Sequence, residues 1–443
     1  MNVRFGMIAD DLTGANDSGV QLKEKGIETS VFFEIPTLNE SLDEAIVIDT
    51  DSRALNQDQA YHATEAAAQF LSDSGCRHIY KKMDSTLRGY IGAELKAMGH
   101  VFDPVFTVVA PAFPPYGRTT KNGWHLLDGR PISETELAHD AKHPVKQAHL
   151  PTLIEEETGE KTALISEALL HGDADDWLMA LNDWKAKNIT YLICDAASGD
   201  DLSKIATMIN RFTSRVVWAG SAGLAEVLPQ VLELENETTS PAPIEGGAIL
   251  TICGSLSQKT QEQIIYTTEQ PGIHAIPIDT GNIFTKEWQR DAEDYYQSSM
   301  EAYEEGKDVV LYVPATDEMR QEVKQKAEAM GLGSFEIGKR ISEALGELTH
   351  KLVKANTDIN SLVLTGGDTA KDVAKSLGAT GFSLSHQLEP GIPVGTLIGT
   401  ERVINVVTKA GAFGTETSLY QAIVTLKGAH QHEPQTDHWH YHG

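Results

Sequence analysis

The clearest indication of the fold lies in the segment Arg4-Phe5-Gly6-Met7-Ile8-Ala9-Asp10-Asp11-Leu12-Thr13-Gly14. Its apolar run predicts a buried strand over residues 4–9, and the amphipathic segment 15–25 that follows predicts a helix. Short apolar runs keep alternating with segments of helical period along the chain. This pattern favours an α/β fold with a mainly parallel sheet flanked by helices. Ligands of such sheets bind beyond the carboxyl ends of the strands, which is where Asp10 and Asp11 stand.

Further elements share the same patterns in both halves of the chain. Predicted strands of the first half cover residues 29–33, 45–49, 78–82, 106–110, 191–194 and 216–219, and predicted helices cover 57–74 and 201–213. A second series has strands at 248–253, 274–278, 309–313 and 361–365 and helices at 258–268, 289–305 and 341–354. Each half is therefore expected to form its own mainly parallel sheet.

The chain is long enough for two domains. It has 443 residues, and single hydrophobic cores stop growing at roughly 250 to 300 residues. The polar segment 236–247 is rich in Pro and Gly and predicts a linker. We therefore expect a domain at 1–235, the linker at 236–247, a second domain at 248–428 and a polar, His-rich tail at 429–443, with the ligand site in the cleft between the domains.

Composition excludes several classes of protein. The apolar fraction of 41% and the charged fraction of 23% are globular, and no apolar run is long enough to span a membrane. The first residues lack the pattern of a secretory signal, and Cys76, Cys194 and Cys253 lack metal-ligand spacing, so we expect a cytoplasmic protein with reduced thiols. The net charge of −28 gives little support for binding nucleic acid or an acidic membrane.

Three segments of the first half end predicted strands with polar side chains. The Asp10 and Asp11 pair suits the binding of sugar hydroxyls or removal of a proton from one, although helix capping can also explain it. Arg53 follows the strand at 45–49 and can hold a carboxylate through two parallel hydrogen bonds, or form a surface ion pair with Asp49 or Asp51. The densest segment is Lys81-Lys82-Met83-Asp84-Ser85-Thr86-Leu87-Arg88-Gly89, which suits an anionic polyol.

Glycine turns in the second half can hold phosphate. In Thr365-Gly366-Gly367-Asp368-Thr369 a strand enters a helix through two glycines, so free backbone N–H groups can face an anion, unless Asp368 is simply the N-cap. Ser255 follows another strand and can contact a nucleotide or cap the next helix. A third turn contains Gly411 beside Lys409. The P-loop spelling Gly-x-x-x-x-Gly-Lys-Ser/Thr is absent, and no Gly-x-Gly-x-x-Gly follows the first strand.

This combination resembles the four-carbon acid sugar kinase family. The matching motifs occur in order along nearly the whole chain: 9–15, 82–89, 111–114, 220–224, 254–255, 365–369 and 409–414. The resemblance implies an N-terminal domain that binds the sugar acid and a C-terminal domain that binds ATP. The spelling of residues 16–21 is more similar to the D-threonate and D-erythronate kinases than to the 3-oxo-tetronate branch. Members of this type are expected to act with a dehydrogenase that oxidises the 4-phosphate.

Carried over residue by residue, the resemblance implies two sets of site residues. Those expected on the acid are Asp10, Arg53, Lys82, Met83, Asp84 and Ser85. Those expected on ATP are Ser255, Gly366, Gly367, Asp368, Thr369 and Gly411.

The expected reaction is ATP-dependent, in-line transfer of a phosphoryl group to the 4-hydroxyl of the acid, with D-threonate as the first candidate and D-erythronate or a 3-oxo-tetronate as alternatives. Asp10 is the first candidate for the catalytic carboxylate and Asp84 the second. Mg²⁺ is expected with ATP, and Asp368 can help to hold it through water, although the sequence does not identify the metal ligands. A sugar-acid or nucleotide binding protein without chemistry is the alternative from another class. The oligomeric state is left open, and a homo-oligomer is allowed.

Overall fold

The computed structural model describes residues 3–37, 42–140, 143–237, 244 and 246–428. The chain divides into two compact units. The first unit comprises Met1–Ser240 and Leu377–Glu401, and the second comprises Pro241–Ser376 and Arg402–Gly443. Most of the predicted linker and the whole predicted tail at 429–443 lie outside the described residues.

The strands, in chain order, are β1 (Phe5–Ala9), β2 (Thr29–Phe32), β3 (Ala45–Asp49), β4 (His78–Lys82), β5 (Phe106–Ala110), β6 (Arg118–Lys121), β7 (Trp124–Leu127), β8 (Arg130–Pro131), β9 (Thr162–Ile165), β10 (Tyr191–Cys194), β11 (Val216–Gly220), β12 (Ala248–Cys253), β13 (Ile273–Pro277), β14 (Asp308–Tyr312), β15 (Ile359–Thr365), β16 (Gly381–Glu389), β17 (Ile392–Ile398) and β18 (Asn405–Lys409).

The α-helices are α1 (Leu12–Glu24), α2 (Gln57–Asp73), α3 (Ile91–Phe102), α4 (Leu150–Thr158), α5 (Glu167–Leu170), α6 (Ala174–Ala186), α7 (Gly199–Phe212), α8 (Ala222–Val231), α9 (Gln258–Thr268), α10 (Trp288–Glu304), α11 (Asp317–Ala329), α12 (Ser334–Ala355), α13 (Gly367–Ser376) and α14 (Ser418–Leu426). No helix among the described residues is both long and apolar enough to cross a membrane.

The first unit is built on a mixed sheet in the strand order β17-β16-β2-β3-β1-β4-β11-β5-β10-β9. Pairing is parallel from β2 to β9, and β16 is antiparallel to both β2 and β17. The central strands are buried along their whole length, as a parallel sheet covered on both faces requires. A separate antiparallel sheet, β6-β7-β8, follows β5.

The second unit has a parallel sheet in the order β13-β14-β12-β15-β18. Its strands β12, β15 and β18 end in register, because Cys253 pairs with Thr365 and Thr365 pairs with Lys409. The expected α/β class, with a mainly parallel sheet and flanking helices in each unit, is therefore confirmed.

One segment is grouped differently from the predicted domain bounds. Leu377–Glu401, which the sequence placed inside the 248–428 domain, belongs to the first unit. It carries the β16 and β17 hairpin, and Gly381 of β16 pairs with Phe32 of β2. This pairing joins residues far apart in the chain, which local sequence patterns do not report.

Candidate functional site

The parallel register of the first unit brings several candidate residues to one edge of its sheet. Ala9 at the end of β1 pairs with Asp49 of β3 on one side and with Lys82 of β4 on the other. The loops that leave these three strands begin at Asp10, Thr50 and Met83. Residues that lie far apart in sequence therefore meet at the carboxyl edge, where ligands of such sheets bind.

Arg53 joins the two aspartates of the first loop. Its Nε and one terminal nitrogen donate to Oδ2 of Asp10, at 3.0 and 2.8 Å, and its other terminal nitrogen donates to Oδ2 of Asp11 at 2.9 Å. The alternative that Arg53 forms an ion pair with Asp49 or Asp51 is therefore not what the structure shows. Asp11 also caps α1 by accepting a hydrogen bond from the N–H of Gly14.

Asp10 keeps one oxygen available. The residue is 1% exposed, and its Oδ1 has no hydrogen-bond partner among the residues that the structure describes. A buried carboxylate oxygen without a donor is costly, so it marks a place where a ligand hydroxyl can bind. Gly89 lies beside Asp10, because a Cβ built on Gly89 would stand 3.3 Å from Asp10 Oδ2.

Asp84 is held by its own loop. Its Oδ2 accepts hydrogen bonds from the hydroxyl of Thr86 at 2.5 Å and from Nε of Arg88 at 2.6 Å. Burial alone would raise the pKa of Asp84, but the charges of Arg53 and Arg88 and these hydrogen bonds hold the pKa well below its usual range. Asp84 is therefore a firmly ionised anchor and a weak proton acceptor.

The other candidate residues of this loop differ in their surroundings. Lys82 Nζ donates to the carbonyl of Met83 at 3.0 Å, and Met83 packs its side chain in the hydrophobic core. The carbonyl of Ser85 accepts a hydrogen bond from Nε2 of His125 on β7 at 2.8 Å. Burial lowers the pKa of His125 to about 4, so it is a neutral donor at neutral pH.

A buried ion pair supports these loops from behind. Glu94 on α3 lies 3.3 Å from Nζ of Lys81, and it also accepts a hydrogen bond from the hydroxyl of Ser52. Burial raises the pKa of Glu94, Lys81 lowers it, and the charge of Asp10 raises it further. Glu94 thus connects the residue before Arg53 with the residue before Lys82.

The second unit gathers glycine turns at the carboxyl edge of its sheet. Gly366 follows β15 with a φ of +94°, and α13 begins at the next residue, Gly367. The N–H of Gly366 donates to the carbonyl of Lys409, and the N–H of Gly254 donates to the carbonyl of Thr365. Helix α13 therefore starts against the turns that follow β12 and β18, and its first N–H groups have no earlier turn to bond.

At two glycines of these turns a Cβ would meet a neighbouring hydroxyl. A Cβ on Gly254 would lie 2.0 Å from the hydroxyl oxygen of Thr369, and a Cβ on Gly411 would lie 2.3 Å from that of Ser255. The structure thus brings together the residues that the family resemblance implies on ATP: Ser255, Gly366, Gly367, Asp368, Thr369 and Gly411. We call this group the glycine corner.

Lys409 holds the loop of the glycine corner. It is 3% exposed, and its Nζ donates to the carbonyls of Ala410, Gly411 and Phe413 at 2.9 to 3.3 Å. The side-chain hydroxyls of Ser257 and Thr260 bond to the same Gly411 carbonyl. The role of this cation is therefore at least partly to shape the loop.

Two capping alternatives from the sequence are not what the structure shows. Ser257, and not Ser255, caps α9 by accepting from the N–H of Thr260. Asp368 is the second residue of α13, so it lies inside the helix and is not its N-cap.

Sequence reasoning did not assign roles to Arg88, Glu94 or His125. Arg88 stood in the quoted motif, so its proximity to Asp84 could have been found there. No sequence motif pointed to Glu94 or His125. Glu94 lies on α3 and His125 on β7, and only the folded chain brings these two elements to Ser52 and Ser85.

No group of three or more metal-ligating side chains occurs among the described residues. A single carboxylate in the glycine corner still fits Mg²⁺ bound with a nucleotide, because Mg²⁺ commonly uses one or two carboxylates together with phosphates and water. Asp368, in the first turn of α13, is the carboxylate of the glycine corner that can contribute.

Comparisons with known proteins cover both units. Residues 5–228 match a family model described as a sugar-binding N-terminal domain, and residues 250–419 match one described as a nucleotide-binding C-terminal domain. A D-threonate kinase of Salmonella typhimurium LT2 is 31% identical, with 95% of this chain and 98% of the relative covered. A D-erythronate kinase of Heliobacterium modesticaldum is 29% identical over 92% of this chain and 93% of the relative.

A solved structure shares the fold of both units. A crystal structure of a Salmonella typhimurium LT2 protein matches with a TM-score of 0.80 and 25% identity, covering 95% of this chain and 98% of that one. The sequence match, the two family models and the fold agree over nearly the whole length. The chain therefore belongs to the four-carbon acid sugar kinase family, which joins a sugar-binding N-terminal domain to a nucleotide-binding C-terminal domain.

Proposed function

We propose that the protein transfers the γ-phosphoryl group of ATP to the 4-hydroxyl of D-threonate, giving 4-phospho-D-threonate and ADP. The observation that carries this proposal is the buried Oδ1 of Asp10, which has no hydrogen-bond partner among the described residues while Oδ2 is held by Arg53. The similarity to a D-threonate kinase over 95% of the chain supports this substrate. D-erythronate and a 3-oxo-tetronate are the alternatives, because other relatives carry the names D-erythronate kinase and 3-oxo-tetronate kinase.

Asp10 is the better of the two catalytic candidates. Its Oδ1 can accept a hydrogen bond from the attacking hydroxyl, and Arg53 fixes the carboxylate through Oδ2. Asp84 has a depressed pKa and already accepts hydrogen bonds from Thr86 and Arg88. We therefore assign Asp10 to the hydroxyl and Asp84 to the positioning of Arg88.

The glycine corner is the proposed nucleotide site. The N–H groups at the start of α13 and the positive end of the helix dipole favour phosphate, and glycine at positions 366 and 367 lets the phosphates approach the backbone. The bound Mg²⁺ would supply neutralisation of phosphate charge in the transition state. Asp368 is the proposed contributor to its coordination, through water.

A screen of substrates tests the proposed function. Release of ADP is measured by a coupled assay with D-threonate, L-threonate, D-erythronate, L-erythronate and their 3-oxo relatives, and the phosphorylated carbon is identified by NMR. We expect the highest kcat/KM with D-threonate and a phosphate on carbon 4. Higher kcat/KM with another of these acids would replace the substrate but keep the reaction class.

The alternative of a binding protein without chemistry makes a different prediction. In that case calorimetry would detect binding of an acid or of ATP, but no ADP would be released with any of the acids. Such a result would reject the proposed function.

A further inference from the structure

Arg53 and Arg88, which bond to Asp10 and Asp84, differ in how many of their N–H donors are already used. Arg53 uses its Nε and both terminal nitrogens on Asp10 and Asp11. Its side chain is also mostly buried, at 16% exposed. Three of its five N–H groups therefore already bond to carboxylates of the protein, and only one N–H remains on each terminal nitrogen.

Arg88 keeps its terminal nitrogens available. Its Nε donates to Asp84, but within the described residues the terminal nitrogens have only an ion pair with Asp140 at 3.6 Å, which is longer than a hydrogen bond. The Arg88 side chain is 32% exposed, so a ligand can reach it. A guanidinium fixed at Nε presents its two terminal nitrogens in the geometry that matches a carboxylate.

The backbone around Arg88 is held in an unusual conformation. Leu87 has a φ of +63°, in the left-handed region that a bulky residue rarely adopts, and Gly89 has a φ of +105°. The side chain of Leu87 is buried in the hydrophobic core, so packing maintains this conformation. Such conformations cluster at ligand sites, where they fix the direction of a side chain.

We propose that Arg88 binds the carboxylate of the sugar acid, and that Arg53 instead fixes Asp10. This assignment rests on the proposed function and identifies the residue that selects an acid over a neutral polyol. Asp84 then acts as a positioning residue, because it holds Nε of Arg88 and leaves the terminal nitrogens to the ligand. Asp10 Oδ1 remains for the hydroxyl.

Lys82 is the competing cation for this role. Its Nζ donates to the Met83 carbonyl, which leaves N–H donors available. It is buried, however, and its charge already acts on Asp11 and Asp17, where it opposes the rise in pKa that burial causes. A Cβ built on Gly14 would lie 2.9 Å from Nζ of Lys82 and 2.8 Å from Oδ1 of Asp11, so this lysine already lies near a carboxylate of the protein and is the weaker candidate.

A cycle of enzyme and substrate changes tests the assignment. The kcat/KM values of wild type and Arg88→Gln are compared with D-threonate and with its neutral carboxamide, D-threonamide. The carboxamide replaces one acceptor oxygen by an NH2 group and removes the negative charge, whereas Arg88→Gln removes the positive charge and one of the two parallel donors. Either change therefore breaks the paired, charge-assisted contact. Wild type should therefore prefer the acid by about 10- to 150-fold, the factor that hydrogen bonds to charged groups support, and Arg88→Gln should lose most of that preference.

Two other outcomes would overturn the proposal. If Arg88 only supports Asp84, the variant will lose activity on acid and amide by the same factor and keep the preference. If Lys82 or Arg53 binds the carboxylate of the acid, Lys82→Met or Arg53→Gln will abolish the preference for the acid over the amide, whereas Arg88→Gln will retain it. Arg215→Gln is the matched control for loss of one positive charge, since Arg215 is exposed and pairs with Asp103; it should keep the wild-type preference.

Failure of the proposed function would be recognised separately. If wild type phosphorylates no four-carbon acid, the same cycle is run on binding of D-threonate and D-threonamide by calorimetry without ATP. A preference for the acid that disappears in Arg88→Gln would still support the assignment. Absence of acid binding to wild type would overturn it together with the proposed substrate.

Discussion

Replacement of Asp10 by Asn keeps the shape of the side chain but removes the charge that accepts a proton. The change places a neutral amide beside Arg53, which retains its hydrogen bond to Asp11. If Asp10 accepts the proton of the attacking hydroxyl, kcat should fall by at least about 100-fold, the lower scale of general acid–base assistance. That factor corresponds to about 2.7 kcal/mol in activation free energy.

The structure also gives the expected cost in stability. Asp10 and Arg53 are 2% and 16% exposed in their side chains, so solvent screens their ion pair little. Because Arg53 keeps one carboxylate partner, loss of the charged hydrogen bonds should lower the free energy of unfolding by roughly 1.5 to 3 kcal/mol. The variant should therefore fold and remain measurable.

Initial rates of ADP release, KM for ATP and urea unfolding would be measured for wild type, Asp10→Asn and a control. The control is Asp308→Asn, because Asp308 is also a buried carboxylate in an ion pair, in this case with Lys427. Asp308 is the first residue of β14, so it lies at the end of the sheet opposite to the glycine corner. Both variants should be less stable, and Asp10→Asn alone should lose kcat with little change in KM for ATP. A kcat within a few fold of wild type for Asp10→Asn would refute the catalytic role of Asp10.

Three further predictions follow from the two sites. In Gly254→Ala the new Cβ would lie 2.0 Å from the hydroxyl oxygen of Thr369, so KM for ATP should rise by about tenfold, the factor that about 1.4 kcal/mol of overpacking gives. In Gly199→Ala no atom of the described residues lies within 4 Å of the new Cβ, so KM for ATP should stay unchanged. The pKa of Asp84 is depressed in the folded state, so its stabilisation is present above the unfolded pKa of about 4 and is lost as pH falls below it. Acid unfolding of Asp84→Asn should consequently show a shallower loss of stability below about pH 4, and a slope equal to that of wild type would contradict the depressed pKa. Removal of divalent metal with EDTA should abolish ADP release and added Mg²⁺ should restore it, while activity that survives EDTA would exclude the expected metal requirement.

Much of the parallel framework could be predicted from local patterns. The strands at 45–49, 78–82 and 106–110 have the predicted bounds, because continuous apolar runs between turns are typical of buried parallel strands. The predicted helix at 258–268 also has the bounds of α9. The antiparallel strands β6–β8, β16 and β17 and the short β9 were not predicted, since their residues lack a continuous apolar run or lie on partly exposed strands.

Separate sequence motifs pointed to the parts of the glycine corner and to Asp10, Arg53, Lys82 and Asp84. The sequence could not say which partners the charged residues would choose. Arg53 lies near Asp49 and Asp51 in sequence, yet it bonds to Asp10 and Asp11 because parallel pairing of β1 with β3 places their ends side by side.

The two α/β units, the family and the candidate site residues could be predicted from the sequence alone, because periodicity and turn chemistry are local properties of the chain. Three outcomes became visible only in the folded chain: residues 377–401 group with the first unit, Arg53 donates from Nε and both terminal nitrogens to carboxylates of the protein, and the guanidinium of Arg88 makes its one carboxylate hydrogen bond among the described residues from Nε. These outcomes depend on strand register and on side-chain contacts between distant segments. Which charged residues pair depends on their distance in the folded chain, and sequence separation does not predict that distance.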